Sequence, residues 1–136
     1  MVLGSGPGGE AAAMRASKGG LRVAMVEEAP RVGGASTHLG TLPSKSLRHQ
    51  IRQVVRIQRN PIFRDVLGPT RISWQQLVRR ARHVIDEQVD VRANFYHRNR
   101  VRVFNGRGRI DGASRVVVED NGEPRWALDT KHILLA

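Results

Sequence analysis

Four glycines in the run Gly4-Ser5-Gly6-Pro7-Gly8-Gly9 have a spacing that can do chemistry. They follow the apolar Met1-Val2-Leu3 and precede an alanine-rich stretch. A G-x-G-x-x-G turn between a strand and a helix suits a dinucleotide pyrophosphate. Gly4 permits the tight turn, Gly6 lets backbone approach the phosphates, and Gly9 lets the helix pack on the strand. The helix N-terminus then turns its free N–H groups and positive dipole toward the anion. A second chemical group follows at the end of Leu21-Arg22-Val23-Ala24-Met25-Val26-Glu27. Glu27 lies 18 residues after Gly9, near the ~20-residue spacing of an acid that accepts hydrogen bonds from a ribose diol. A 2′-phosphate would be repelled there, which disfavours NADP at this site. The plain alternative is an ordinary acid at a strand end, but turn, helix and strand occur in the order a dinucleotide fold requires. This pattern does not separate NAD from FAD.

The elements that must position these groups are legible in outline. Glu10 to Lys18 is helix-forming, and Gly19-Gly20 makes a C-terminal stop. Leu21 to Glu27 has the length of a buried parallel strand. Glu28 to Lys45 is rich in Gly, Pro, Ser and Thr, lacks periodicity, and reads as a long functional loop. Its paired glycines allow close approach to a ligand, and Ser36, Thr37 and Thr41 offer hydroxyls. A helix is expected from Ser44 to Gln58 with Leu47, Ile51, Val54 and Val55 on one face, ending before Asn60-Pro61. Another starts at Ser73, where Gln76 completes a capping box. Its stripe runs Trp74, Leu77, Ala81, Val84, Gln88, Val91 and Phe95 and reads as packing surface. Arg79, Arg80, Arg82, Arg92 and Arg98 fall off it, as a solvated face would. The remainder reads as strands: Val101 to Phe104, Arg115 to Glu119, Arg125 to Leu128 and Lys131 to Leu135. Asp120-Asn121-Gly122 is a turn, and the last strand returns to a parallel sheet.

Composition narrows the function classes. With 136 residues the chain is one domain's worth. It contains no cysteine, which removes disulfide frameworks and thiol redox chemistry. No apolar run approaches the ~20 residues of a membrane span and no signal segment opens the chain, so a cytoplasmic location is expected. The net charge of +11 comes from 20 arginines and three lysines against 12 acids. The arginines are spread along the chain and aromatics are scarce, so a solvated surface is expected rather than a nucleic-acid site. No catalytic side chain and no metal cluster is assigned.

The glycine turn, Val26-Glu27, Gly33-Gly34 and Gly40-Thr41-Leu42-Pro43-Ser44-Lys45 together resemble the class I pyridine nucleotide–disulfide oxidoreductases, which include dihydrolipoamide dehydrogenase and glutathione reductase. That family carries two cysteines at the positions of Ser36 and Thr41. The soluble FAD-containing, Si-specific NAD(P)+ transhydrogenases are a more similar branch. They share Gly4 through Glu10, Thr37-His38, Thr41, Pro43-Ser44-Lys45 and Leu47-Arg48-His49. Asn60-Pro61, Phe95-Tyr96 and Arg98-Asn99 also match. Ser36 stands where the branch usually keeps a cysteine, and Ala35 where it has a third glycine.

The resemblance implies an α/β, Rossmann-like FAD-binding domain: a parallel sheet with helices and a small antiparallel β-meander, incomplete at 136 residues. Residues 1–136 are expected to be the N-terminal part of that domain, with the nucleotide and dimerisation domains absent. In the full protein, hydride would pass between NADPH or NADH and the other oxidised nucleotide through FAD. By resemblance Gly4, Gly6, Pro7, Gly8 and Gly9 hold the pyrophosphate, and Glu27 and Glu28 lie at the adenosine ribose. Gly33, Gly34, Ala35, Ser36 and Thr37 line the dinucleotide, Lys45 lies near the flavin, and Gly106 approaches the adenine. NAD(H) and NADP(H) are the expected substrates, with a homodimer when full length and no membrane or nucleic-acid partner. His38 and His49 are given no catalytic role, since direct hydride transfer needs none. A dihydrolipoamide dehydrogenase-like flavoprotein, or a non-catalytic dinucleotide-binding remnant or basic module, are the alternatives. A cysteine-free loop argues against the first of these.

Overall fold

The structure, a computed structural model, describes residues 1–68 and 71–136. Strand β1 (Val2–Leu3) runs through the glycine turn into helix α1 (Pro7–Lys18), and β2 (Ala24–Glu27) follows. Pro7 occupies the first helical position, where its missing N–H costs nothing. Four helices come next: α2 (Gly34–His38), α3 (Thr41–Arg59), α4 (Pro61–Leu67) and α5 (Trp74–Arg98). The chain then forms β3 (Arg102–Asn105), β4 (Arg107–Ile110), β5 (Arg115–Asp120), β6 (Glu123–Asp129) and β7 (Leu134–Leu135).

Two sheets result. The first has the order β3-β2-β1-β7 and is parallel throughout, with Val2 opposite Met25 and Leu134, and Val26 opposite Phe104. The second is an antiparallel meander, β4-β5-β6. Its β5–β6 turn puts Asn121 and Gly122 at φ 53° and 86°, the positive angles that an Asn-Gly pair accepts at little cost.

Successive residues of β2 point to opposite faces and both faces are covered. Met25, with Val23 just before the strand, enters a core with Val2, Ala13, Val32, Val89, Tyr96 and Val101 under the helices. Val26 joins Phe104 and Val118 on the other face, under the meander. Gly108 lets the meander close on the sheet, for an added Cβ would stand 3.0 Å from Leu3 Cδ2 and 3.3 Å from Val26 Cγ1. Trp126 adds an edge-to-face contact with Phe104 at 5.6 Å between ring centroids. No helix among the described residues is long and apolar enough to cross a membrane.

Several boundaries differ from the sequence expectation. The first helix begins at Pro7, inside the glycine run, and not at Glu10. The segment 28–45 is not one long loop, because α2 and the first turn of α3 lie within it. Helix α3 starts at Thr41. Pro43 sits in its first turn, where backbone N–H groups lack helical partners and proline is tolerated. Ser44 is already inside the helix, its N–H bonded to the Gly40 carbonyl at 3.1 Å. Helix α4 was not expected.

The Ser73 capping box forms as expected, but the inward face of α5 coincides with only part of the expected stripe, sharing the buried Ala81. Ala81, Val89 and Tyr96 are buried and Ile85 packs beside them, whereas Trp74, Val91 and Phe95 are exposed. The expected stripe follows steps of three and four and contains no arginine. The structure instead turns Arg92 inward, where its Nε donates to Glu10 of α1 at 2.9 Å. A paired cation can face another helix, so the absence of arginine is a poor guide to the buried side.

Candidate dinucleotide site

The turn between β1 and α1 is shaped by glycines that differ in what they avoid. Gly4 adopts φ 102°, and its N–H donates to the Val26 carbonyl at 2.8 Å. A Cβ on Gly4 would overlap the Ala136 carbonyl oxygen, and one on Gly9 would overlap the Gly4 carbonyl oxygen. Both are therefore required by the chain's own packing. Gly6 is not: its φ is −62°, and an added Cβ there meets nothing within 4 Å. Space above Gly6 is open, as the approach of a pyrophosphate requires. No side chain caps α1, which leaves first-turn N–H groups for an anion. Pro7 and Gly8 are exposed on the same turn.

The loop after β2 closes directly on this turn. Gly33 and Gly34 have φ 120° and 62°, and a Cβ on Gly34 would stand 2.7 Å from Gly6 Cα. A Cβ on Gly33 would stand 2.7 Å from Thr37 Oγ1. Gly34 is thus glycine because two backbone segments touch, and Gly33 because the Thr37 side chain packs on it at a positive φ, and not only because a ligand passes. Thr37 is fully buried and its hydroxyl has no partner among the described residues, so its side chain is closed off from solvent. Ser36 is half-buried, and Ala35, Thr41, Glu28 and Lys45 are exposed. His38 binds the Val32 carbonyl through Nε2 at 2.9 Å and so ties the ends of its loop together.

Glu27 ends β2 beside the turn and is buried. Its Oε2 accepts from the Ser5 N–H at 2.8 Å and from the Ser5 hydroxyl, while Oε1 accepts from the Ala29 N–H at 2.8 Å. A buried carboxylate needs such donors to offset its desolvation. The Ser5 hydroxyl also accepts from the Gly33 N–H at 2.8 Å. Sequence reading missed Ser5, treating it as the variable position of the glycine pattern. A serine there can supply a side-chain hydroxyl where other residues cannot, and that was the available signal.

Gly106 is placed at the end of β3 with φ 141°, and its N–H donates to the Glu27 carbonyl at 2.9 Å. A Cβ there would come within 2.5 Å of the Glu119 carbonyl oxygen, so close strand crossing already demands glycine. Tyr96 is buried in the core with Val2 and Met25, and its hydroxyl has no partner among the described residues. Burial pushes its phenol up to about 12, the negative charges of Glu10 and Glu27 adding to the rise and Arg92 opposing it. A groove of about 940 Å³ lies elsewhere, along α3 and α4, lined by His49, Arg52, Arg56 and Arg59 among others. It has no part in the glycine cradle.

Comparison with known proteins agrees with this geometry. A soluble pyridine nucleotide transhydrogenase of Marinomonas sp. (strain MWYL1) is 43% identical over 136 residues, covering all of this chain and 29% of the relative. One from Pseudomonas putida (strain GB-1) is 47% identical over 137 residues, again covering 100% and 29%. The chain therefore spans under a third of these relatives' length. Among solved structures, LpdA from Mycobacterium tuberculosis superposes with a TM-score of 0.82 at 23% identity, over 98% of this chain and 30% of that one. The HOCl-induced flavoprotein disulfide reductase RclA from Escherichia coli gives 0.77 at 18%, over 99% and 27%. These two share the Rossmann-like fold. The FAD dependent oxidoreductase family model matches residues 1–130. By this match over nearly its whole length, the chain belongs to the FAD dependent oxidoreductase family.

Proposed function

We propose that this chain is the FAD-binding part of an oxidoreductase that exchanges hydride between NAD(H) and NADP(H). The observation that carries the dinucleotide-binding core of this reading is Gly6, a glycine that nothing in the fold requires, set under open space at an uncapped helix start. When bound, FAD would supply the two-electron acceptor and donor between the two nucleotides. The chain's own residues bind and orient it. The first turn of α1, with Gly6, Pro7, Gly8 and Gly9, holds the pyrophosphate. Glu27 takes the adenosine ribose and its charge turns away a 2′-phosphate, with Glu28 exposed beside it. Gly33, Gly34, Ala35, Ser36 and Thr37 line the dinucleotide, Gly34 being packed against Gly6, and Gly106 borders the adenine end. Lys45 is exposed early in α3 and provides a cation to stabilise negative charge on the cofactor. Ser36 and Thr41 carry no sulfur, so a thiol relay has no place here. That favours hydride exchange over disulfide reduction.

The relatives' name supports the transhydrogenase reading. Residues 1–136 are the N-terminal part of the FAD domain, and the whole protein works in the cytoplasm as a homodimer. The 136 residues present one dinucleotide turn. Alone they are therefore expected to bind FAD but to transfer no hydride from NADPH to NAD+. Purified chain mixed with FAD should retain a flavin absorbance band after gel filtration, with no activity in a transhydrogenase assay. A colourless protein that binds DNA with steep salt dependence would overturn the FAD reading, and robust activity would overturn the second expectation.

A further inference from the structure

The Ser5 hydroxyl stands between the two halves of the cradle, and its bonding has a fixed direction. Ser5 is fully buried. The Gly33 N–H is a donor, so it takes a lone pair on Ser5 Oγ at 2.8 Å. The single hydroxyl proton is left to point at Glu27 Oε2. Ser5's own N–H reaches the same oxygen at 2.8 Å, while the Ala29 N–H reaches Oε1. A carboxylate has about four acceptor sites. Ser5 fills two on Oε2 and Ala29 one on Oε1, which leaves one, on Oε1.

We propose that Ser5 is the positioning residue of this site: it saturates Glu27 Oε2, presents Oε1 to one ribose hydroxyl, and latches Gly33-Gly34 onto Gly6. This rests on the FAD reading above. The pyrophosphate wall and the ribose acid are thereby one unit, joined in the order Gly33, Ser5, Glu27. The remaining acceptor site selects a hydroxyl donor, so a ligand offering only acceptors at that position is refused. Alanine at this position would leave the Gly33 N–H and a carboxylate lone pair buried without partners, at a cost above that of the lost bonds themselves.

The test measures binding of the full 136-residue chain to FAD and to an FAD analogue lacking both adenosine ribose hydroxyls, for wild type and Ser5→Ala. Amide exchange at Gly33 is followed in the ligand-free proteins. We expect Ser5→Ala to bind FAD about ten- to a hundredfold more weakly. The analogue, which feels only the loosened Gly33 latch, should lose clearly less affinity than FAD does, and the Gly33 amide should exchange at least ~10-fold faster in the variant. Equal losses for FAD and analogue would mean a general structural role and would overturn the proposal, as would unchanged Gly33 exchange. If Ser5→Ala does not fold, Ser5→Cys keeps the shape but weakens the donor. It should narrow the preference for FAD over the analogue, and an unchanged preference overturns the proposal. Failure of wild type to bind FAD instead overturns the cofactor reading and the ribose role with it. Gly33 exchange then still shows whether the latch exists.

Discussion

A methyl group added at Gly6 meets nothing within 4 Å, whereas one at Gly9 overlaps the Gly4 carbonyl oxygen. The two positions therefore separate folding from binding. Gly6→Ala should leave thermal stability unchanged or raise it by up to ~1 kcal/mol, since its φ of −62° suits alanine. The same substitution should remove detectable FAD binding, because its methyl stands where the pyrophosphate approaches. Gly9→Ala should destabilise the chain by about 3 kcal/mol or more. Denaturant titration and FAD titration of both variants check this, and equal behaviour would refute it. Tyr96 offers a pH readout, being the one tyrosine in the sequence. Its folded pKa is raised from 10 to about 12. The neutral phenol therefore contributes stability that is fully present below pH 10 and is lost as pH rises through 12. Tyr96→Phe should flatten the melting temperature between those values. At pH 7 it should cost little, since the removed hydroxyl has no partner among the described residues. The sequence named Gly6, Gly9 and Glu27 through their spacing. It did not show Ser5 or Tyr96, because a hydroxyl's role depends on which donors and acceptors the fold places around it.

Helix α5 shows how far periodicity reaches. Its start was legible because a capping box is local chemistry: the Gln76 N–H donates to Ser73 Oγ at 3.2 Å, and the Ser73 N–H to Gln76 Oε1 at 2.7 Å. Which face it buries was not, because the helix carries two apolar stripes and tertiary packing chose between them. Val89 is buried in the core under the parallel sheet, while Val91 is 43% exposed. Val89→Ala should cost about 2 kcal/mol and Val91→Ala less than ~0.5, read as shifts in the urea midpoint. The reverse order would restore the sequence stripe. The helix α3 start was missed for a related reason. Pro43 and Ser44 look like a boundary in sequence, yet the first helical turn accommodates both.

At the scale of the molecule, the chain is a parallel sheet with helices on one face and a meander on the other. Apart from Glu27 and the Arg92–Glu10 pair, the ion pairs among the described residues lie on the outside. Ion pairs such as Arg31–Asp86 and Arg115–Asp129 are exposed, and Asp129 titrates low because Arg115 bonds and attracts it. Exposed pairs of this kind contribute little to stability. Their relevance is to solubility and not to the cradle. The sequence by itself determined the fold class, the glycine turn, the acid at the end of β2, the meander turn and the exclusion of thiol chemistry. Each of these is written in local backbone requirements or in the presence of a residue type. Only the tertiary structure decided that Gly34 packs on Gly6, that Arg92 turns inward to Glu10, and that Ser5 joins Gly33 to Glu27. Those contacts link residues 22 to 82 positions apart. Nothing local specifies them; they exist because burying both faces of one short strand brings distant segments to the same edge of the sheet.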